Sequence, residues 1–270
     1  MKSRIVRQIG IACATALLLG AVATAAEPEA DSGATRPTVK SEPVRYTSGQ
    51  DTVNAVLFVP DRPGKRPAVV VIHEWWGLND WARESAGKMA AQGFVTLAID
   101  LYRGHVADNA DDAHELARGV PSDRATRDLQ TAVEYLRSLP GVDKQRIGVI
   151  GWCMGGGYAL EAALAVPDLA ACVICYGHLV TEDESIAQIG ASILGIFGAL
   201  DKGIPAETVR QFEKQARALG KDVSMIVYEG AGHAFMNVNN NRGYAKEATA
   251  DAWGKIFAFF ARTLNPKTEK

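Results

Sequence analysis

The sequence predicts an α/β fold, a mostly parallel, doubly wound sheet with helices on both faces. Two observations point there. Six nearly continuous apolar runs recur along the chain: "PAVVVIHE" (67–74), "FVTLAID" (94–100), "RIGVIGW" (146–152), "AACVICYG" (170–177), "ASILGIFGA" (191–199) and "DVSMIVYEG" (222–230). Runs of this length and β-branched content fit strands covered on both faces. Segments of helical period separate them, and strand, helix, strand repeated this way implies parallel pairing through right-handed crossovers. The composition agrees, because 270 residues with 47% hydrophobic and 22% charged side chains supply one core of ordinary size.

In chain order, "MKSRIVRQIGIACATALLLGAVATAA" (1–26) carries Lys2, Arg4 and Arg7, then a short apolar stretch, then small residues. That is the pattern of a secretory signal peptide, so the protein is expected to be exported, periplasmic or secreted. Cleavage removes three positive charges and takes the formal charge from -2 to about -5. Residues 27–43, polar and Pro-containing, read as a flexible leader. A single domain is expected over 44–265, with a tail at 266–270. "TVNAVLFVP" (52–60) alternates like an antiparallel strand. Helices are expected at 80–91, 107–118, 122–138, 156–165, 205–219 and 243–263. In the third of these, Leu129, Val133 and Leu136 recur at helical spacing.

Ligands of such sheets sit beyond the carboxyl ends of the strands, so functional residues should follow the apolar runs. Cys153 does, within Gly151-Trp152-Cys153-Met154-Gly155. A G-x-C-x-G between strand and helix forces the central residue into a strained turn where only small neighbours fit. The helix that opens at Gly155-Gly156-Gly157 would favour a thiolate at Cys153 through its N-terminal dipole. Asp201 follows the next-to-last run and His233 the last. Nucleophile, acid, histidine is a chain order known for hydrolytic triads. His233 would take the thiol proton, and Asp201 would hold the imidazole in its productive tautomer. Glu74, after the "VIHE" run, could pair with the thiol or take its proton. His73-Glu74 resembles the start of a zinc motif, but Gly77 stands where a second histidine is required, so no metal site is expected. The backbone N–H groups of Met154 and Trp75 are the expected oxyanion donors.

With these residues assembled, the chain resembles the dienelactone hydrolase (carboxymethylenebutenolidase) family of α/β-hydrolases over about residues 44–265. The resemblance rests on "HEWWGL", "DLYRG", "GWCMGGGYA", "YG" at 176–177, "GALD" and "GAGHAFMN". It implies a Cys-His-Asp triad at Cys153, His233 and Asp201, with Glu74 against the resting thiol. It also implies cleavage of a lactone or small carboxylic ester without cofactor or metal. The family looks to arginines for a substrate carboxylate. Arg103 of "DLYRG" is the candidate here, while Asn237 stands shortly after the histidine and Arg242 further on. Tyr102, Trp76, Tyr176 and Phe235 are the other candidate substrate contacts.

Cys172 and Cys175 form a C-x-x-C inside an apolar run, which reads as two buried small hydrophobes. No basic patch stands out, which argues against nucleic acid as a partner. A monomer acting on a small ester or lactone, with no stable membrane association after signal cleavage, is the expectation. Two rival classes are an exported thiol redox protein and a catalytically silent binding protein on the same scaffold.

Overall fold

The computed structural model describes residues 37–265. The signal peptide expected over 1–26 and the tail over 266–270 lie outside the described residues. Among the described residues, eight strands form one sheet: β1 (Val39–Ser48), β2 (Asp51–Pro60), β3 (Arg66–Ile72), β4 (Val95–Ile99), β5 (Val142–Trp152), β6 (Ala171–Cys175), β7 (Ser192–Gly198) and β8 (Val223–Tyr228). Their order is β1-β2-β4-β3-β5-β6-β7-β8. β2 runs antiparallel to both β1 and β4, and every later pairing is parallel. The helices are α1 (Asp80–Ala90), α2 (Ala110–Arg118), α3 (Ser122–Ser138), α4 (Met154–Ala165), α5 (Asp183–Gln188), α6 (Ala206–Ala218) and α7 (Lys246–Leu264).

All of β4 and β6 is buried, and so is β3 after Arg66. That is why these strands read as unbroken apolar runs and not as alternating ones. Consecutive residues of a strand face opposite sides, and the end of β5 makes the two layers plain. Gly151 faces α4, whose backbone leaves no room for a side chain there. Trp152 faces the other way, in edge contact with Trp81 of α1 and tilted against Trp253 of α7.

Two elements differ from expectation. Residues 39–43, assigned to a leader, form the first half of β1, which pairs with β2 from Val39↔Pro60 to Ser48↔Asp51. The short α5, between β6 and β7, was not expected. Helix boundaries move by up to three residues: α2 starts at Ala110 because Asn109 caps it, accepting from the N–H groups of Asp111 and Asp112.

Candidate active site

Four strand ends bring the site together. Glu74 follows β3, Cys153 follows β5, Asp201 follows β7 and His233 follows β8. Cys153 has φ 55° and ψ -119°, outside the regions an L-residue adopts freely. The turn is possible because a Cβ at Gly151 would strike the Gly155 carbonyl, and one at Gly155 would strike the carbonyls of Ile72 and His73. Tyr176 and Ala234, at the ends of β6 and β8, also have positive φ, so backbone strain gathers around this one edge of the sheet.

The Cys153 sulfur lies 3.0 Å from His233 Nε2, and His233 Nδ1 lies 2.7 Å from Asp201 Oδ2. Asp201 is buried, and its other oxygen accepts from the N–H groups of Gly203 and Ile204 at 2.9 and 3.2 Å. With that carboxylate fixed, Nδ1 carries the proton and Nε2 is the acceptor facing the thiol. The backbone N–H groups of Met154 and Trp75 lie by the sulfur and favour its charged form.

The thiol differs from expectation in its charge. Burial first, and the neighbouring Glu74 carboxylate second, push its pKa up to about 12, against the lowering by the two backbone amides. At neutral pH the resting group is a thiol. Glu74 is itself buried, which raises its pKa to about 7, opposed by hydrogen bonds from Asn237 and Tyr176. Those bonds hold its two oxygens: Tyr176 Oη donates to Oε1 at 3.2 Å and Asn237 Nδ2 to Oε2 at 2.6 Å. The thiol therefore has His233, and not Glu74, as its hydrogen-bonding side chain. His73 is buried and uncharged in role, with Nδ1 donating to the Glu74 carbonyl at 2.5 Å and Nε2 accepting from Leu101 N–H at 3.2 Å. Both ring nitrogens are engaged in fixing the loop that carries Glu74.

A cavity of about 580 Å³ opens onto Cys153 and His233. Of the expected substrate contacts, Trp76 lines it and the rest do not. Arg103 turns away, and its guanidinium bonds to the fully buried Asp128 at 2.6 Å. The reason is the buried Asp128 carboxylate on α3, to which this guanidinium donates. Tyr176 and Phe235 are fully buried and pack ring against ring beneath the site, 5.7 Å apart. Tyr102 is also buried, its hydroxyl donating to the Trp75 carbonyl at 3.1 Å, so it shapes the loop instead of lining the cavity. Residues that sequence reasoning passed over do line it: Asn79, Ala107, Asp108 and the run Asn239-Asn240-Asn241 that precedes Arg242. Cys172 and Cys175 are free and fully buried, and Cys172 Sγ donates to the Ala159 carbonyl at 3.3 Å.

Sheet order, elbow and strand-end placement define an α/β-hydrolase fold, with a thiol at the position between β5 and α4. Residues 53–264 match the model of the dienelactone hydrolase family. The chain belongs to that family. A relative from Aquifex aeolicus, named "Putative carboxymethylenebutenolidase", is 31% identical over 228 residues, covering 82% of this chain and 98% of the relative. A Bradyrhizobium relative, named "Probable 2-oxo-3-(5-oxofuran-2-ylidene)propanoate lactonase", is 31% identical over 226 residues, covering 79% and 90%. The crystal structure of a dienelactone hydrolase-like promiscuous phosphotriesterase from metagenomic libraries superposes with a TM-score of 0.77 at 28% identity, covering 83% of this chain and 98% of that one. Membership makes the protein a hydrolase of the kind that acts on esters or lactones. Among the described residues, no helix is long and apolar enough to cross a membrane.

Proposed function

We propose that the protein cleaves a lactone or small carboxylic ester by nucleophilic catalysis, with Cys153 as nucleophile, His233 as the proton carrier and Asp201 as its orienting carboxylate. The observation that carries this reading is the hydrogen-bonded row from Asp201 Oδ2 through the imidazole to the sulfur, at 2.7 and 3.0 Å. As the sulfur attacks the carbonyl carbon, its proton passes to His233 Nε2. The carbonyl oxygen takes the negative charge and receives the Met154 and Trp75 N–H groups. The imidazolium then protonates the departing alkoxide, leaving an acyl thioester. A water molecule loses a proton to the same nitrogen, attacks the thioester, and the thiol is restored. Glu74 opposes early loss of the thiol proton by its charge, so the thiolate forms when the carbonyl is in place.

Hydrolysis of p-nitrophenyl acetate by the wild type and by Cys153→Ala tests this. A loss on the order of 10³-fold or more is expected in the variant, together with a wild-type adduct of acetyl mass on the peptide that holds Cys153. Equal rates in the two proteins would refute the assignment.

From the signal pattern at 1–26 we further propose that the protein works outside the cytoplasm, free of the membrane once the signal is cleaved, and that it acts there as a monomer. Fractionation of expressing cells, with the N-terminus and molar mass of the purified protein, tests it. A full-length N-terminus in the membrane fraction would count against export.

A further inference from the structure

The wall around Cys153 has a composition that ester cleavage alone leaves unexplained. Trp75 and Trp76 both line the cavity, their ring centroids 5.0 Å apart and their planes at 63°. Asparagine amides line it beside them, and they differ in what they have left to offer a ligand. Asn237 is engaged at both ends, donating to Glu74 and accepting from the Asn239 N–H. Asn79 uses its oxygen to cap α1, accepting from Ala82 N–H at 3.1 Å, which leaves its NH₂ group. Asn240 is the reverse. Its NH₂ donates to the His233 and Ala234 carbonyls, both at 3.2 Å, which leaves its oxygen. Donor and acceptor thus stand at one opening.

Charge does not select an anion here. Among the described residues, Arg242 is the one arginine or lysine lining the cavity, and Asp108 lines it too. A substrate carboxylate accepts hydrogen bonds and donates none, so an asparagine oxygen gives it nothing, and the Asp108 and Glu74 carboxyl groups on the same wall offset Arg242. A hydroxyl both donates and accepts, and so can use both amide ends. The C–H faces of a sugar ring are flat and apolar, matching an indole face.

We propose that the substrate is an ester or lactone of a neutral, polyhydroxylated, carbohydrate-like molecule, its ring against Trp75 and Trp76 and its hydroxyls on Asn79 and Asn240. This rests on the hydrolytic reading above, and the bonds made and broken are the same. The acyl carbon–oxygen bond breaks as the carbon–sulfur bond forms, and the sugar hydroxyl leaves with the proton His233 took from Cys153.

Three esters separate the possibilities: a monoacetylated methyl glucoside, cyclohexyl acetate and acetoxybenzoate. The glucoside ester is expected to have kcat/KM about tenfold or more above both others, and Trp76→Ala and Asn240→Ala are expected to erase that preference. Cyclohexyl acetate or acetoxybenzoate hydrolysed as well as the glucoside would overturn the proposal. A binding arm stands apart from turnover. Cys153→Ala is titrated with methyl glucoside and with benzoate, following tryptophan fluorescence. Saturable quenching by the glucoside at lower concentration than by benzoate supports the sugar site, and the opposite order overturns it. If no ester were cleaved, including p-nitrophenyl acetate, the hydrolytic reading would fail while the titration still judged the sugar site.

Discussion

Glu74 is the residue whose surroundings say most about how the site is regulated. Its carboxylate stands near the sulfur and raises the thiol pKa, so removing the charge should lower that pKa. Glu74→Gln is therefore expected to react several-fold faster with iodoacetamide at pH 8 than the wild type; an unchanged alkylation rate would remove Glu74 from the account of the thiol. The same residue sets a stability slope. Its folded-state pKa, about 7, lies above the 4.5 of a free glutamate, so the folded protein holds this proton over that window. Stability is fully present below pH 4.5 and falls as pH rises through about 7, by an amount on the order of 3 kcal/mol. Urea denaturation between pH 4.5 and 7.5 should show the decline in the wild type and a flatter profile in Glu74→Gln. Glu74, Cys153, Asp201 and His233 were all legible in the sequence because each follows a strand that its apolar run announces. The cavity lining was not. Which way a loop side chain faces has no period, and Arg103 was misplaced for that reason. The asparagine run after "GHAFMN" was visible in composition, and only the fold shows that it flanks the sulfur.

The strand-to-helix joint from β5 to α4 depends on contacts no side chain could share. Gly155 sits against the backbone of Ile72 and His73, so Gly155→Ala must push α4 away from β3. A loss of about 3 kcal/mol in urea unfolding is expected, the upper end for overpacking a closed site, with esterase activity falling further than the folded fraction. Retained stability and activity would mean that the joint tolerates displacement. The central strands were readable because burial on both faces forces apolar side chains at every position. β1 was unreadable for the opposite reason. It is an edge strand, "VKSEPVRYTS", mostly exposed, and its place comes from backbone pairing with β2, which leaves little trace in side-chain type. α5 has six residues and buries only Ile186, too little for a period to register.

Across the molecule, the Arg103–Asp128 pair ties the loop after β4 to α3, and Asp51 of the β1–β2 hairpin lies 3.8 Å from the same guanidinium. Asp128 is wholly buried, and one of its oxygens has no partner among the described residues. Arg103→Met would leave that carboxylate alone, and a loss of about 3–5 kcal/mol is expected from thermal or urea unfolding. Hydrolysis per folded molecule should stay within about twofold, since Arg103 does not line the cavity; a large fall in kcat/KM at full stability would return it to substrate binding. The sequence showed this arginine and this aspartate, 25 residues apart, with nothing to say that the fold joins them. The three thiols within residues 37–265 form a graded set. Cys153 reaches the cavity, while Cys172 and Cys175 are sealed in β6 between β5 and β7. With a chromogenic disulfide in excess and the protein lacking residues 1–26, which hold Cys13, one thiol should titrate from the native state, and two more should follow together at a rate independent of reagent concentration. That second phase is a clock wound into the sheet, timing how often its middle opens without any label being added.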